Sequence, residues 1–427
     1  MATIQALQTP MGVMASGKDD LFHALFGRDS LWTILLALEA GRRLPTPNAQ
    51  EEGNTKDSSL LQPEVYRDWL FGLCEDVLCG LGSLQGQVVN DINEEQPGRV
   101  VHEHWDPVPP AMQEAGWPVI NGSYYGAFDA TMLYLIAVAH VDDFFDDRRL
   151  LESLWPNIQA ALLWMLDWSD LDEDGLVEYQ LRNPDGIGLR NQVWKDSGES
   201  IRAPEGQKLY YPLAWIEIQG YALEAYTSYL TLAQKLGRLN PELQAKIEPR
   251  LEGLRKGLAR FWLTDEAFPA IALDGQKQPI EAVASNPGHL LWARAVNVEQ
   301  ARQICKRLME PDMFTPWGIR TLSEKAYFYD PFKYQVGTVW PFDNAVIALG
   351  MEHYGFKHEA RELARTVLEA VQLSGGPVEL YMVLHDYMIR SPRIDQKLAL
   401  VEYPYASSVQ TWTAATILYL ITLFLNE

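Results

Sequence analysis

The sequence predicts an all-α fold, a closed toroid of paired helices in which inner helices are covered by outer ones. Most segments space their apolar residues at i, i+3 and i+4, as Trp155, Ile158 and Leu162 do, which is the pattern of an amphipathic helix. Other segments, such as 132–139, are apolar on every side, which indicates helices that others enclose. Little of the chain alternates with period two, so few strands are expected.

The helices are predicted in pairs, separated by loops that contain glycine and proline. The first begins at Asp29 or Ser30 and ends at Gly41, because glycine commonly follows the last turn of a helix. Residues 45–59 are expected to form a polar loop, and 80–122 a long irregular segment of the kind that often carries function. The other helices are expected near 63–78, 126–140, 149–169, 211–236, 241–262, 287–308, 339–354, 357–373 and 405–425. An open helical solenoid is the alternative, but no repeat of fixed period supports it.

Composition excludes several classes of partner. The formal charge of −22 disfavours nucleic acid and anionic membrane surfaces, since both attract basic patches. The cysteines Cys74, Cys79 and Cys305 are odd in number and lack metal-type spacing, which favours a reducing, cytoplasmic location over a disulfide framework. No signal-peptide pattern opens the chain, and the apolar run 412–425 is too short to cross a bilayer. No linker divides the chain, so one domain over 1–427 is expected.

Residues 188–200, Gly-Leu-Arg-Asn-Gln-Val-Trp-Lys-Asp-Ser-Gly-Glu-Ser, have the composition of a loop that carries chemistry. Asp196 follows Trp194 and Lys195 in it. A carboxyl group against an aromatic wall keeps its proton because desolvation disfavours the charged form, and general acid catalysis needs that proton. Glu199 is the next candidate for the acid. The alternative is a helix N-terminus with Asp196 or Ser197 as its cap.

Residues 26–32, Phe-Gly-Arg-Asp-Ser-Leu-Trp, place Arg28 and Asp29 at the predicted start of a helix. A guanidinium fork beside a carboxylate can hold two adjacent hydroxyl groups of a sugar. The other interpretation makes Asp29 the helix cap and Arg28 its partner. The local sequence leaves both interpretations open.

Two further stretches raise the question of a metal. His102, Glu103 and His104 are potential ligands, but their spacing does not match a helical His-x-x-x-His zinc pair. Polar groups lining a cleft are the favoured interpretation. The acidic run 170–175 begins like a calcium loop, yet Leu181 stands where that loop needs a glutamate at its twelfth position. No metal or cofactor is therefore expected.

The last third of the chain supplies candidates for a second carboxylate. Glu379 lies in a glycine–proline loop and Glu402 precedes the final helix, and the local sequence does not separate them. Trp340 and Asp343 belong to a polar and aromatic stretch and could face a ligand. Asp343 or Asn344 could instead cap the helix that follows.

Taken together, these motifs resemble the glycogen-debranching-type glucosidases, the amylo-α-1,6-glucosidase group of the six-hairpin glycosidases. The motifs come in the family's order and span nearly the whole chain, which makes the series more specific than any single member. The matching stretches are Phe-Gly-Arg-Asp-Ser at 26–30, Gly-Arg-Val-Val-His-Glu at 98–103, Tyr-Tyr-Gly-Ala-Phe-Asp-Ala-Thr at 124–131, Asn-Gln-Val-Trp-Lys-Asp-Ser at 191–197, Ile-Glu-Ile-Gln-Gly-Tyr at 216–221, Ser-Asn-Pro-Gly-His-Leu-Leu-Trp at 285–292, Tyr-Gln-Val-Gly-Thr-Val-Trp-Pro-Phe-Asp-Asn-Ala at 334–345, Val-Glu-Leu-Tyr at 378–381, and the Gln–Trp pair at 410 and 412.

The resemblance implies an (α/α)6 barrel that hydrolyses its substrate with inversion of configuration. It implies Asp196 as general acid and Glu379 as general base, with Arg28 and Asp29 holding the terminal sugar in the innermost subsite. The other candidate substrate contacts are His102, Glu103, Trp105, Tyr125, Asp129, Trp194, Lys195, Glu217, Gln219, Trp340, Asp343, Gln410 and Trp412.

The chain departs from the family pattern in three places. Family members commonly carry a β-rich domain ahead of the barrel, whereas this chain begins almost at the Gly-Arg-Asp motif, so no separate N-terminal β domain is expected. The pair Tyr334–Gln335 stands where the family often has Tyr-His. Val378 replaces the proline that usually precedes the glutamate.

The expected activity is exo-acting, inverting hydrolysis of an α-glucosidic bond, with α-1,6 as the favoured linkage and a small-molecule or oligosaccharide α-glucoside as substrate. One alternative is a hydrolase of a small α-glucoside or α-mannoside, of the trehalose, sucrose or glucosylglycerate type, because substrate does not follow from fold. The other alternative is a non-catalytic sugar-binding barrel, which would keep Arg28 and Asp29 but would not need both carboxyl groups. The sequence sets no oligomeric state.

Overall fold

The computed structural model of the chain describes residues 1–44, 63–385 and 398–425. The polar loop expected at 45–59 lies outside these residues. Short 3₁₀ turns at Leu258–Phe261 and Asn286–Gly288 accompany the α-helices. The α-helices are α1 (Ala2–Leu7), α2 (Gly27–Arg43), α3 (Pro63–Ser83), α4 (Pro110–Glu114), α5 (Asp129–Phe145), α6 (Arg148–Trp168), α7 (Ile216–Lys235), α8 (Pro241–Gly257), α9 (His289–Trp292), α10 (Val298–Leu308), α11 (Pro341–His353), α12 (Lys357–Ser374) and α13 (Thr411–Thr422).

Within the described residues, six helices close an inner ring. α2 packs against α5, α5 against α7, α7 against α9, α9 against α11, α11 against α13, and α13 returns to α2. The outer helices α3, α6, α8 and α12 each pack on the inner helix that they follow, and α10 packs on the 3₁₀ turn before α9. The N-terminal α1 covers α13 and completes the sixth pair. The predicted (α/α)6 barrel is confirmed.

Side-chain composition explains which helices are inside. Every residue of α11 from Pro341 to Met351 is buried, as its sequence is apolar or uncharged on nearly all sides. The outer helix α8 instead buries a single stripe, Ile247, Leu251 and Leu254, and exposes its charged side. Among the described helices, none combines the length and the apolar character that crossing a membrane requires.

The strands are short, as the weak period-two signal predicted, and their pairs are all antiparallel. They form the sheets β1–β2, β3–β4–β5, β6–β9–β10, β7–β8, β11–β12 and β13–β14. Their bounds are β1 (Gln8–Thr9), β2 (Gly12–Val13), β3 (Leu25–Phe26), β4 (Glu103–His104), β5 (Ser123–Tyr124), β6 (Ala214–Trp215), β7 (Trp262–Leu263), β8 (Phe268–Pro269), β9 (Ala272–Leu273), β10 (Pro279–Ile280), β11 (Phe314–Thr315), β12 (Gly318–Ile319), β13 (Tyr381–His385) and β14 (Leu398–Glu402).

The prediction of one continuous helix near 287–308 was wrong, because the structure divides this stretch into two helices, α9 and α10. Arg294 adopts a left-handed conformation with φ of 50°, which ends the first helical turn. Asn297 then caps α10 by accepting a hydrogen bond from the backbone of Gln300, whose side chain bonds back to the Asn297 backbone. This capping box starts a new helix inside a stretch whose apolar spacing looks continuous.

Candidate active site

A cavity of about 430 Å³ opens at the end of the barrel where α2, α11 and α13 begin. Loops that precede inner helices supply most of its wall. The predicted site residues that line the cavity are Arg28, Asp29, His102, Glu103, Trp105, Trp194, Asp196, Trp340, Glu379, Gln410 and Trp412.

The sheet β3–β4–β5 brings the first part of this wall together. Phe26 on β3 pairs with Glu103 on β4, so the start of α2 lies beside the polar side chains of β4. The turn from β3 into α2 needs a glycine, because a Cβ atom at Gly27 would lie 2.2 Å from the carbonyl oxygen of Val101. The pairing of β3 with β4 thus places Arg28 in one cavity with His102 and Glu103, which lie more than seventy positions later in the sequence.

Asp196 faces the cavity with its side chain 22% exposed. Its Oδ2 accepts a hydrogen bond of 3.0 Å from Arg28 Nη1, and its Oδ1 lies 3.4 Å from the amide nitrogen of Gln335. Removal from bulk water raises the pKa of Asp196, while the charge of Arg28 opposes that shift. The alternative of Asp196 as a helix cap is wrong, because residues 191–200 form a loop that leads into no helix.

Glu379 lines the same cavity, and both of its carboxylate oxygens are held. Tyr334 donates its hydroxyl hydrogen to Oε1, and the backbone N–H of Ser407 donates to Oε2 at 2.9 Å. Burial raises the pKa of Glu379 to about 7, and the charge of Asp196 adds to that effect. Glu402, the rival candidate, is exposed on β14 and lies outside the cavity lining.

The structure gives Arg28 a different partner from the one that sequence suggested. Its Nε and Nη2 donate to the two carboxylate oxygens of Asp129 at 2.7 and 3.1 Å. Asp29 instead accepts from the side-chain amide of Gln410 at 2.8 Å. Asp29 makes no capping bond, since Phe26 is the N-cap of α2, and burial raises the Asp29 pKa to about 8.

Six of the residues predicted to contact substrate do not line the cavity, and their side chains are placed to support the surrounding structure. Tyr125 donates to the carbonyl of Leu84 at 2.9 Å, and Gln219 bonds the backbone of Val177. The residues outside the lining are Tyr125, Asp129, Lys195, Glu217, Gln219 and Asp343. Their expected contact with substrate has no geometric support here, and their bonds are those of supporting residues.

A buried polar cluster supports the loop of Asp196 from behind. His289 donates to or accepts from Tyr221 through Nδ1, and its Nε2 lies 2.8 Å from Asp343 Oδ1. The ring of Trp194 stacks on His289 with the planes 4° apart. Lys195 donates to the carbonyl of Thr321. The two residues before Asp196 are therefore fixed by the interior, which aims the carboxyl group into the cavity.

Sequence reasoning missed Tyr334 and Gln335 as site residues, although both fall inside a motif that it quoted. Gln335 accepts from the backbone N–H of Ser197 at 2.9 Å and donates to the carbonyl of Trp194 at 2.7 Å. It therefore fixes the loop that carries Asp196 on both sides of that residue. The signal was available in the departure from the family's Tyr-His pair at 334–335.

The aromatic part of the cavity lining was missed in part. Trp117, in the proline-rich segment that was expected to carry function, donates its indole N–H to Glu103 Oε1. Trp105 donates its indole N–H to the other oxygen of Glu103 at 3.0 Å. Burial raises the pKa of Glu103 to about 7. Phe22, Phe26 and Met112 also line this region. Indole faces of this kind suit the apolar face of a sugar.

The structure shows the surroundings of both stretches considered as metal sites, 102–104 and 170–175. His104 lies outside the cavity lining and bonds the hydroxyl of Ser123 at 2.9 Å. Over the described residues, Asp170, Asp172 and Asp174 are the carboxylates close enough together to share an ion. Basic side chains already occupy this cluster: Lys277 lies 3.0 Å from Asp172 and 3.3 Å from Asp174.

Comparison with known proteins supplies the family. The profile described as "Mannosylglycerate hydrolase MGH1-like glycoside hydrolase domain" matches residues 93–393, more than half of the chain. A GH63 mannosylglycerate hydrolase from Thermus thermophilus in complex with Tris is 15% identical, with a TM-score of 0.66 over 98% of both chains. Its complex with glucose gives 16% identity and a TM-score of 0.62, again over 98% of both chains.

An uncharacterized conserved protein from Thermus thermophilus is similar as well, at 16% identity and a TM-score of 0.64 over 98% of this chain and 97% of that chain. At such identities the structural likeness establishes the fold alone. Comparison with curated proteins gives no match.

The six-hairpin glycosidase class that the motifs predicted is confirmed, and so is the expectation of a glycoside hydrolase. The finer assignment is corrected, because the matching family is not the amylo-α-1,6-glucosidase group and glycogen debranching has no support. The chain belongs to the mannosylglycerate hydrolase MGH1-like glycoside hydrolase domain family.

Proposed function

We propose that the chain hydrolyses a small α-glycoside with inversion of configuration, using Asp196 as general acid and Glu379 as general base. The observation that carries this proposal is that both carboxyl groups line one cavity. The rival candidates Glu199 and Glu402 lie outside that lining. Two carboxyl groups flanking one bond are what glycosidases need, one to protonate the leaving oxygen and one to activate water.

The hydrogen bonds of Glu379 support its role as the base. Glu379 accepts from both Tyr334 and Ser407, and two donors favour the ionised carboxylate that a base must be. Asp196 has an oxygen, Oδ1, whose contact within the described structure is the 3.4 Å approach of Gln335. That oxygen is available to carry a proton toward a glycosidic oxygen in the cavity. Asp29 and Arg28, at the base of α2, would hold hydroxyl groups of the terminal sugar.

Cavity size and family support a small substrate over a branched polysaccharide. The cavity of about 430 Å³ lies in the lower half of the ~300–1,000 Å³ range of small-molecule sites. The matching family and two of the similar solved structures carry the name mannosylglycerate hydrolase. An α-mannoside or α-glucoside of glycerate, or of an aglycone of similar size, is therefore the proposed substrate class.

The proposal is tested by measuring hexose release from a panel of α-linked substrates. The panel contains mannosylglycerate, glucosylglycerate, trehalose, sucrose, isomaltose and panose. We expect a glycerate glycoside or another small glycoside to be cleaved with kcat/KM at least about tenfold above isomaltose and panose, a difference of ~1.4 kcal/mol in transition-state binding. Preferential cleavage of panose and isomaltose would contradict the substrate class, and sugar binding without any turnover would contradict the enzyme.

The proposed inversion of configuration is tested by a separate measurement. Proton NMR of the first minutes of hydrolysis shows which anomer of the free hexose is released before mutarotation. An inverting pair acting on an α-glycoside releases the β-anomer first. Initial release of the α-anomer would show retention, and Glu379 would then be a nucleophile and not a base.

A further inference from the structure

Asp129 is a buried carboxylate that the proposed mechanism does not use. It is the first residue of α5, is 1% exposed and lies outside the cavity lining. Its two oxygens accept from Arg28 Nε and Nη2 at 2.7 and 3.1 Å. This is the bidentate arrangement that fixes both the plane and the position of a guanidinium group.

The third nitrogen of the Arg28 guanidinium group, Nη1, opposes the protonation that Asp196 needs as a general acid. Nη1 lies 3.0 Å from Asp196 Oδ2. A cation at this distance favours the ionised carboxylate, whereas a general acid must hold its proton at the working pH. Over the described ranges, Arg28 is the one arginine or lysine in the cavity lining. Without a second partner, Arg28 would act on Asp196 with its full charge.

Resting on the proposed function, we propose that Asp129 is a positioning residue for the general acid. Its carboxylate neutralises Arg28, so that Asp196 keeps the proton that the leaving oxygen needs. The fixed guanidinium also binds Oδ2 of Asp196 and leaves Oδ1 to face the substrate. A residue that sequence assigned to sugar binding thus acts through Arg28 and touches no sugar.

Other charges around Asp196 act in the same direction as Asp129. Asp29, Glu103 and Glu379 line the cavity with it, and negative charge on any of them disfavours a second carboxylate. Lys195 directly precedes Asp196 in the chain, but its ammonium group points into the interior toward Thr321. Arg28 is consequently the cation whose neutralisation decides the state of the acid.

The test is the pH profile of kcat/KM for Asp129→Asn, which keeps the shape and removes the charge. Arg28 would then act on Asp196 alone, so the pKa of the acid would fall. We expect the basic limb of the profile to move to lower pH by about one to two units, the size of one charge at this range. The acidic limb, which reports the base, stays in place. A profile lowered evenly at every pH would overturn the proposal.

A ratio measured within one preparation keeps the test valid if part of the variant misfolds. Aryl glycosides with good leaving groups need little protonation, whereas alkyl glycosides need the acid. We expect Asp129→Asn to lose at least about tenfold more activity on an alkyl than on a 4-nitrophenyl glycoside at pH 7.5, in line with the range of general acid catalysis. Equal losses on both would count against Asp129 as a partner of the acid.

Two control variants separate charge from packing. Asp129→Glu keeps the charge and should leave the basic limb within about half a unit of wild type, by the same Coulomb argument. Asp142→Asn removes a carboxylate on the same helix that binds Lys235 at 2.8 Å, and its profile should match wild type. A shift in either control equal to that of Asp129→Asn would overturn the proposal. If Asp196→Asn retains activity, the proposed function fails instead.

Discussion

The hydroxyl group of Tyr334 donates a hydrogen bond to Oε1 of Glu379, and both residues line the cavity. The backbone N–H of Ser407 binds the other oxygen, so the carboxylate is fixed from two sides. The two donors lie on segments that flank Glu379 in space, one before α11 and one before α13. A carboxylate held in this way suits the proposed role of base, since it can direct one lone pair at a water molecule without reorienting during the reaction.

Tyr334→Phe is expected to raise the pKa of Glu379, because the lost donor favoured the ionised carboxylate. Activity needs that carboxylate, so the acidic limb of the kcat/KM profile should move to higher pH. At pH 6 we expect a loss of about 10- to 100-fold, the value of a hydrogen bond to a charged group. Tyr403→Phe is the control, since its ring lies 5.6 Å from that of Tyr334. An unshifted limb in Tyr334→Phe would show that the base is elsewhere.

Asp29→Asn is expected to change both the pH dependence of stability and the activity, and the two effects are measured separately. Burial raises the pKa of Asp29 to about 8 from its usual 3.8. A carboxyl group whose folded pKa is raised stabilises the fold fully below its unfolded pKa and loses that contribution as pH rises through the folded pKa. The amide does not titrate, so the melting temperature of the variant relative to wild type should rise between pH 4 and pH 8.

The same Asp29→Asn preparation should lose kcat/KM on every substrate with the same terminal sugar, whatever its aglycone, because the amide replaces one carboxyl oxygen with an NH₂ group that cannot accept from a sugar hydroxyl. Normal turnover on all of them would remove Asp29 from the sugar subsite. A constant difference in melting temperature across this pH range would show that the carboxyl group does not titrate there.

Glu103→Gln is expected to weaken substrate binding and spare the chemical step. An amide can accept from only one of the two indole N–H groups of Trp105 and Trp117, and its NH₂ group faces the other as a second donor. Leaving a buried donor unpaired costs ~1–3 kcal/mol, so KM should rise about tenfold while kcat changes less than about threefold. Trp262→Phe, outside this cavity, should change neither. A fall in kcat with KM constant would place Glu103 in the chemistry.

The fold was largely predictable because the inner helices are apolar on nearly every side and the outer ones carry one apolar stripe. These patterns identify helices whatever the tertiary structure. The ends were less accurate: α2 begins at Gly27 and not at Asp29 or Ser30, since a strand and a buried turn set its start. The division of α9 from α10 depends on Arg294 and Asn297, which apolar spacing does not register.

The site was predictable where a motif is local and not where it depends on contacts across the barrel. The stretch around Asp196 is local and indeed supplies cavity-lining residues, but the partner of Arg28 is 101 positions away at Asp129. The choice between Glu379 and Glu402 needs the pairing of β13 with β14, which sets Glu402 opposite Tyr381 and leaves Glu402 exposed at the end of β14. Local composition treats both glutamates alike.

The most direct test of the catalytic pair compares Glu379→Gln with Glu402→Gln in hydrolysis and in azide rescue. We expect Glu379→Gln to lose about 10²- to 10⁴-fold in kcat, as loss of a general base does, and to regain rate in azide with a β-configured glycosyl azide as product. Glu402→Gln, an equal change at an exposed residue of β14, should stay within about twofold of wild type, as surface substitutions do. An active Glu379→Gln beside an inactive Glu402→Gln would contradict the assignment of the catalytic pair.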